Sequence, residues 1–151
     1  MTTEKQIVDA IAADLRTNVL NNVTHEEWLY CEPRALRADV SPRWLCIYPT
    51  RIQHEVISTK SSYDDITRIR VEFRRQVFTG MEFNDGDSEA AEDGLQTFTQ
   101  IKARLETYGA GVPGLPTNAT AELFESHFGI GTNGMWFGYV LLDVETFGGV
   151  L

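Results

Sequence analysis

The closing stretch Met135–Phe147 constrains this chain more than any other part of it. Read as a strand, its first half is apolar on both sides, with Phe137, Tyr139 and Leu141 on one and Trp136, Val140 and Leu142 on the other. Such a strand belongs inside a sheet and needs cover on both faces. The rest of the chain must therefore supply neighbouring strands and helices, and its order does so. An amphipathic helix opens the chain, a strand-rich stretch follows, and a second helix precedes the closing strand.

The first helix is expected over Thr3–Leu20. Thr3 is a suitable N-cap with Gln6 three residues on as its capping-box partner. Ile7, Ile11, Leu15 and either Val19 or Leu20 recur at helical spacing, and Val8 and Ala12 widen the stripe. The second helix is expected over Ser88–Tyr108, after the turn signal Asn84-Asp85-Gly86-Asp87. Ser88 or Asp87 caps it, Glu89 and Glu92 lie where the helix dipole favours acids, and Leu95, Phe98, Ile101, Leu105 and Tyr108 form its apolar face. Gly109 stops it, and the glycines and prolines of Gly109–Thr117 predict a mobile connection.

Between the helices, Trp44–Tyr48 is an apolar run bracketed by Pro42 and Pro49, as expected of a short buried strand. Ile52–Thr59 reads as a second strand and Lys60–Asp64 as a hairpin tip. On the return strand Ile66–Phe78, Ile69, Val71 and Phe73 alternate with Arg68, Arg70, Glu72 and Arg74. Arg75 breaks that phase, which predicts a bulge or an exit from the sheet. His25–Val40 shows no period and reads as a loop or one short irregular element. Ala119–Phe128 reads as a short helix capped by Asn118, with Leu123, Phe124 and Phe128 facing inward. The expectation is a single α+β domain over 1–151, with a mixed or antiparallel sheet of about four strands and two main helices packed on it.

A net charge of −9 argues against a general binder of nucleic acid or anionic membranes. The start of the chain is polar and lacks the apolar core of a signal peptide. The longest apolar run, Met135–Leu142, is too short to span a bilayer, so no membrane partner is expected. Cys31 and Cys46 read as buried thiols rather than a disulfide.

The apparent motifs reduce to local structure. Gly129-Ile-Gly-Thr-Asn-Gly134 has the letters of a dinucleotide fingerprint, but that site needs a strand before it and a helix after it. Here a helix is expected before and a strand after. Asn84–Glu92 is acidic, yet placing Gly86 at the sixth position of a calcium loop puts Met81 at the first, where it cannot ligate. His25, His54 and His127 stand apart and build no zinc pattern with two cysteines. The serines lack a nucleophile-elbow context, and Asn118-Ala-Thr120 is a sequon without a secretion signal. No catalytic residue, metal ligand or cofactor site is expected. The row Arg68, Arg70, Arg74 is either a solvated strand face or a basic row for an acidic surface on a neighbouring subunit.

The order of these elements resembles the tail terminator (tail completion) proteins of long-tailed bacteriophages. The residues that carry the likeness are Thr3–Leu20, Ser41-Pro-Arg-Trp-Leu-Cys-Ile-Tyr-Pro49, Ile66–Val77, Ala121–Phe128, the glycine-rich loop and Trp136–Phe147. The resemblance implies a non-enzymatic virion protein, made in the host cytoplasm and sited at the head-proximal end of the tail. It implies a homohexameric ring that caps the tail tube, ends its polymerisation and joins the tail to the head or neck. Implied partners are other copies of the chain, the tail tube protein and a neck or head-completion protein, with DNA only as cargo passing through the ring lumen. Candidate interface residues are Lys60, Tyr63, Arg68, Arg70 and Arg74, because loops and rows held on a rigid scaffold carry contacts. The alternatives are a phage head-completion or neck protein, and a small-molecule-binding α+β domain with Tyr, Trp and His side chains lining a pocket.

Overall fold

A computed structural model describes residues 2–34, 36–37, 41–56, 62–77, 85–131 and 134–150, with the backbone alone at 51–56, 62–64, 85–87 and 147–150. The chain runs α1 (Glu4–Asn18), β1 (Glu26–Leu29), β2 (Arg43–Val56), β3 (Ser62–Gln76), α2 (Asp85–Glu106), a 3₁₀ turn (Thr107–Ala110), β4 (Thr120–Ile130) and β5 (Met135–Val150). The strands form one sheet in the order β1-β2-β3-β5-β4. β1 runs parallel to β2 and every other pairing is antiparallel. The expected α+β class and the inner position of the closing strand both hold.

Thr3 caps α1 as its sequence predicts. Its hydroxyl accepts from the Gln6 amide, and its own amide donates to the Gln6 side chain at 2.7 Å. Ile7, Val8, Ile11, Ala12 and Leu15 are buried from this helix. They join Leu45 and Ile47 of β2, Ile69, Val71 and Phe73 of β3, and Trp136, Val140, Leu142 and Val144 of β5 in the main core. Phe98, Ile101, Leu105 and Tyr108 enter the same core from α2 and the turn that follows it.

Both helices thus lie on one face of the sheet, where one carboxylate ties them together. Asp14 of α1 accepts from Arg104 Nε (2.9 Å) and Nη2 (2.7 Å), from the Tyr108 hydroxyl (2.6 Å) and from Asn18 Nδ2 (2.8 Å). Burial acts to raise the Asp14 carboxyl, but the bonds from Arg104 and Tyr108 outweigh it and hold the group below its ordinary value.

Five expectations are corrected. Ala119–Phe128 is not a helix: it lies within β4, an edge strand that forms a hairpin with β5. The irregular His25–Val40 segment contains β1. The two strands expected either side of Pro49 are one strand, and an irregularity between Pro49 and Arg51 accommodates the proline. Arg75 leaves the ladder regular, pairing with Arg43 and Trp136; it faces the helices and is satisfied there by Asp93 of α2 at 2.9 Å. Cys31 is exposed, whereas Cys46 is buried as expected.

Candidate assembly face

The face of the sheet away from the helices gathers the residues that the alternation of β3 singled out. Ile69, Val71 and Phe73 point to the core, so Arg68, Arg70, Glu72 and Arg74 point the other way. Strand register sets their neighbours. Trp28, Cys46, Glu72, Tyr139 and His127 form one row across all five strands, Trp44, Arg74 and Phe137 lie in the row on one side, and Tyr48, Arg70, Leu141 and Glu125 on the other. Of the cover expected on both sides of β5, the helices among the described residues supply one side only. Trp136, Val140 and Leu142 are buried beneath them, while Phe137, Tyr139 and Leu141 are only half-buried on the opposite side.

Glu72 organises this face. It is 1% exposed, and its Oε1 accepts from Arg70 Nε (3.1 Å) and Nη2 (2.6 Å) while its Oε2 accepts from Arg74 Nε. A carboxylate this buried is tolerable because it is paired and hydrogen-bonded. The Arg70 guanidinium also lies 3.7 Å from the centre of the Tyr139 ring. Arg68 makes a fork with Asp143 of β5 through Nε (2.7 Å) and Nη2 (3.0 Å), and stacks 3.8 Å from the Phe124 ring centre.

The three arginines therefore differ in what they hold. Arg68 and Arg70 each engage two nitrogens and an aromatic ring within their own chain. Arg74 engages Nε alone among the described residues, and its side chain is 27% exposed.

At the β1–β2 end this face is closed by a small second core of Trp44, Cys46 and Tyr48, with Trp28 and Leu36 packed on it. Burial pushes the Cys46 thiol and the Tyr48 hydroxyl each up to about 12, so neither is charged near neutrality. At the β4–β5 end the face is open. Phe124 is 60% exposed, and His127 lies 6.0 Å from the Phe137 ring and 5.8 Å from that of Tyr139.

Of the candidate interface residues, Arg68, Arg70 and Arg74 come together here. Lys60 lies outside the described residues. Tyr63 has its backbone in β3, opposite Val56 and Gly149, with its side chain outside the description. Phe124 was not legible as part of this face, because a helix over its segment would have turned it inward. The contribution of Tyr139 depends on a pairing between distant strands that no local pattern reveals.

The space between sheet and α2 is filled rather than hollow: a Cβ added at Gly138 would meet the Phe98 ring at 2.6 Å. Among the described residues no group of three or more His, Cys, Asp or Glu side chains is placed to hold a metal ion. No helix among them is long and apolar enough to cross a membrane.

A five-stranded mixed sheet backed by helices on one face is a fold with known company. A chain from the virion of a native gene transfer agent particle matches over 96% of this chain and 94% of its own length, with a TM-score of 0.51 and 9% identity. A chain from an extracellular contractile injection system, the PVC sheath/tube terminator in its extended state, matches over 99% of this chain at a TM-score of 0.45 and 12% identity. The present chain spans 60% of the length of that second protein. The first match shows a shared fold with a protein of a virion. No protein-family model and no curated protein sequence matches the chain.

Proposed function

We propose that this chain is a structural, non-catalytic virion subunit of a phage-like tail, a tail terminator that assembles as a homohexameric ring. The ring caps the tail tube at its head-proximal end, ends its polymerisation and joins it to a neck or head-completion protein, with DNA passing through the lumen. The observation that carries this reading is the bare face of the sheet. It presents Phe124, His127, Phe137 and Tyr139 with three arginines, a composition rich in the aromatic and arginine side chains of protein interfaces, and no helix among the described residues covers it. The fold shared with a gene transfer agent virion chain supports the same reading. Arg68, Arg70 and Arg74 belong to the assembly surface, and Lys60 and Tyr63 to a hairpin that contacts the tube or neck.

Light scattering on the purified chain, alone and mixed with tail tubes, tests the proposal. A mass of six subunits and tubes that stop lengthening when the protein is added are the expected results. A monomer or dimer that leaves tube growth unaffected would overturn it and favour a small-molecule-binding domain.

A further inference from the structure

The three arginines of the bare face are not equivalent, and their difference points to a specific contact. Arg68 is held in a fork by Asp143 and Arg70 is held by Glu72. Arg74 is fixed by Glu72 through Nε, and its Nη1 and Nη2 make no hydrogen bond to any described residue. A guanidinium anchored this way has already lost much of its rotamer freedom and still offers the two-nitrogen edge that fits a carboxylate. Trp44 and Phe137 flank it in register. The site is therefore a cationic edge set between aromatic rings.

The same chain carries the complementary surface on the opposite side of the molecule. The outward side of α2 exposes Glu89 and Glu92, and Leu95 stands 41% exposed one turn beyond Glu92. Among the described residues Glu92 accepts from Gln96 of its own helix alone, at 3.1 Å. Residues three apart on a helix lie side by side, so Glu92 and Leu95 present an acid and an apolar group together. Arg74 and this pair lie on opposite faces of one sheet-and-helix sandwich and cannot meet within one copy. A contact between two copies that joins them is head-to-tail, the kind that builds a ring when the rotation between copies closes and an open filament when it does not.

We infer that the terminal nitrogens of Arg74 receive the Glu92 carboxylate of a second copy of this chain, with Leu95 of that copy seated against Phe137. The inference rests on the self-assembling reading above and names its contact.

Charge reversal tests it, with assembly followed by light scattering across a range of salt and folding checked by thermal melting. Glu92→Arg alters only an exposed helix position, so the chain stays folded and association is expected to weaken at least tenfold at low salt. Arg74→Glu should weaken it similarly, and the double reversal Arg74→Glu/Glu92→Arg should recover part of the loss. Should Arg74→Glu fail to fold beside Glu72, Glu92→Arg and the milder Arg74→Gln decide the matter. If the parent assembles and these variants assemble equally well, this contact is wrong while the ring reading stands. If the parent stays monomeric at every concentration, both are wrong.

Discussion

Gly138 shows how a single residue sets the spacing between helix and sheet. It lies on the helix side of β5, where the Phe98 ring rests directly on its backbone and then meets Trp136 edge-on with ring centres 5.9 Å apart. Any side chain here would enter the space the ring occupies. Gly138→Ala is expected to cost about 1–3 kcal/mol by overpacking, read as a lowered melting temperature. Phe98→Leu in the same background should return part of that loss, because the two positions share one volume. A Gly138→Ala protein as stable as the parent would show that the ring moves aside freely. The sequence marks Gly138 only as a small residue inside an apolar run; its role depends on which residue of α2 arrives above it.

At the scale of elements, local chemistry accounts for what was legible and long-range pairing for what was not. The capping box and the apolar stripe of α1 are contained within a few turns of chain, and they read correctly. Of the stripe expected on α2, Phe98, Ile101, Leu105 and Tyr108 are buried but Leu95 is turned outward, 41% exposed. Thr3→Ala should lower stability by about 1 kcal/mol, measured by urea unfolding, and Gln6→Ala should add less once the cap is gone. Equal stability of Thr3→Ala and the parent would mean that the first turn is held by packing alone. β4 misled because of an irregularity between Leu123 and Glu125 in its pairing with β5. The extra residue puts Phe124 on the bare face, breaks the period of two, and leaves Leu123, Phe124 and Phe128 spaced like the inner side of a helix. β1 has only four residues and no alternation, and it exists because β2 offers it an edge. The Arg row of β3 was plain from alternation, but its partners Asp143, Tyr139 and Phe124 come from strands far along the chain.

Across the whole molecule, folding gathers carboxylates into positions where they are worth keeping charged. Asp14 is held below its ordinary value against the opposing effect of burial. Glu27 is held low chiefly by its fork with Arg16, at 2.6 and 2.8 Å, against burial. A group depressed on folding stabilises the native state above its unfolded value, near pH 4, and that contribution is lost as pH falls through the native value. Melting temperature should therefore fall steeply on the acid side. The gap between the parent and Asp14→Asn should be wide at neutral pH and close as the pH falls below the ordinary carboxylate range. A gap that stays constant across that range would show that the Asp14 charge contributes nothing.

The place of β3 between β2 and β5 has a consequence in time as well as in space. β3 can zip onto β2 at once, because only five residues of chain separate them, whereas its other edge must wait for β5, which is made only after α2 and β4. Closing that larger loop is the entropically slow step. Until it happens, the edge of β3 that will later be interior is open to any passing strand. The nascent chain is then most vulnerable to pairing with the wrong strand, because α2, packed through Phe98, Ile101 and Leu105, covers a face of the sheet and not that edge.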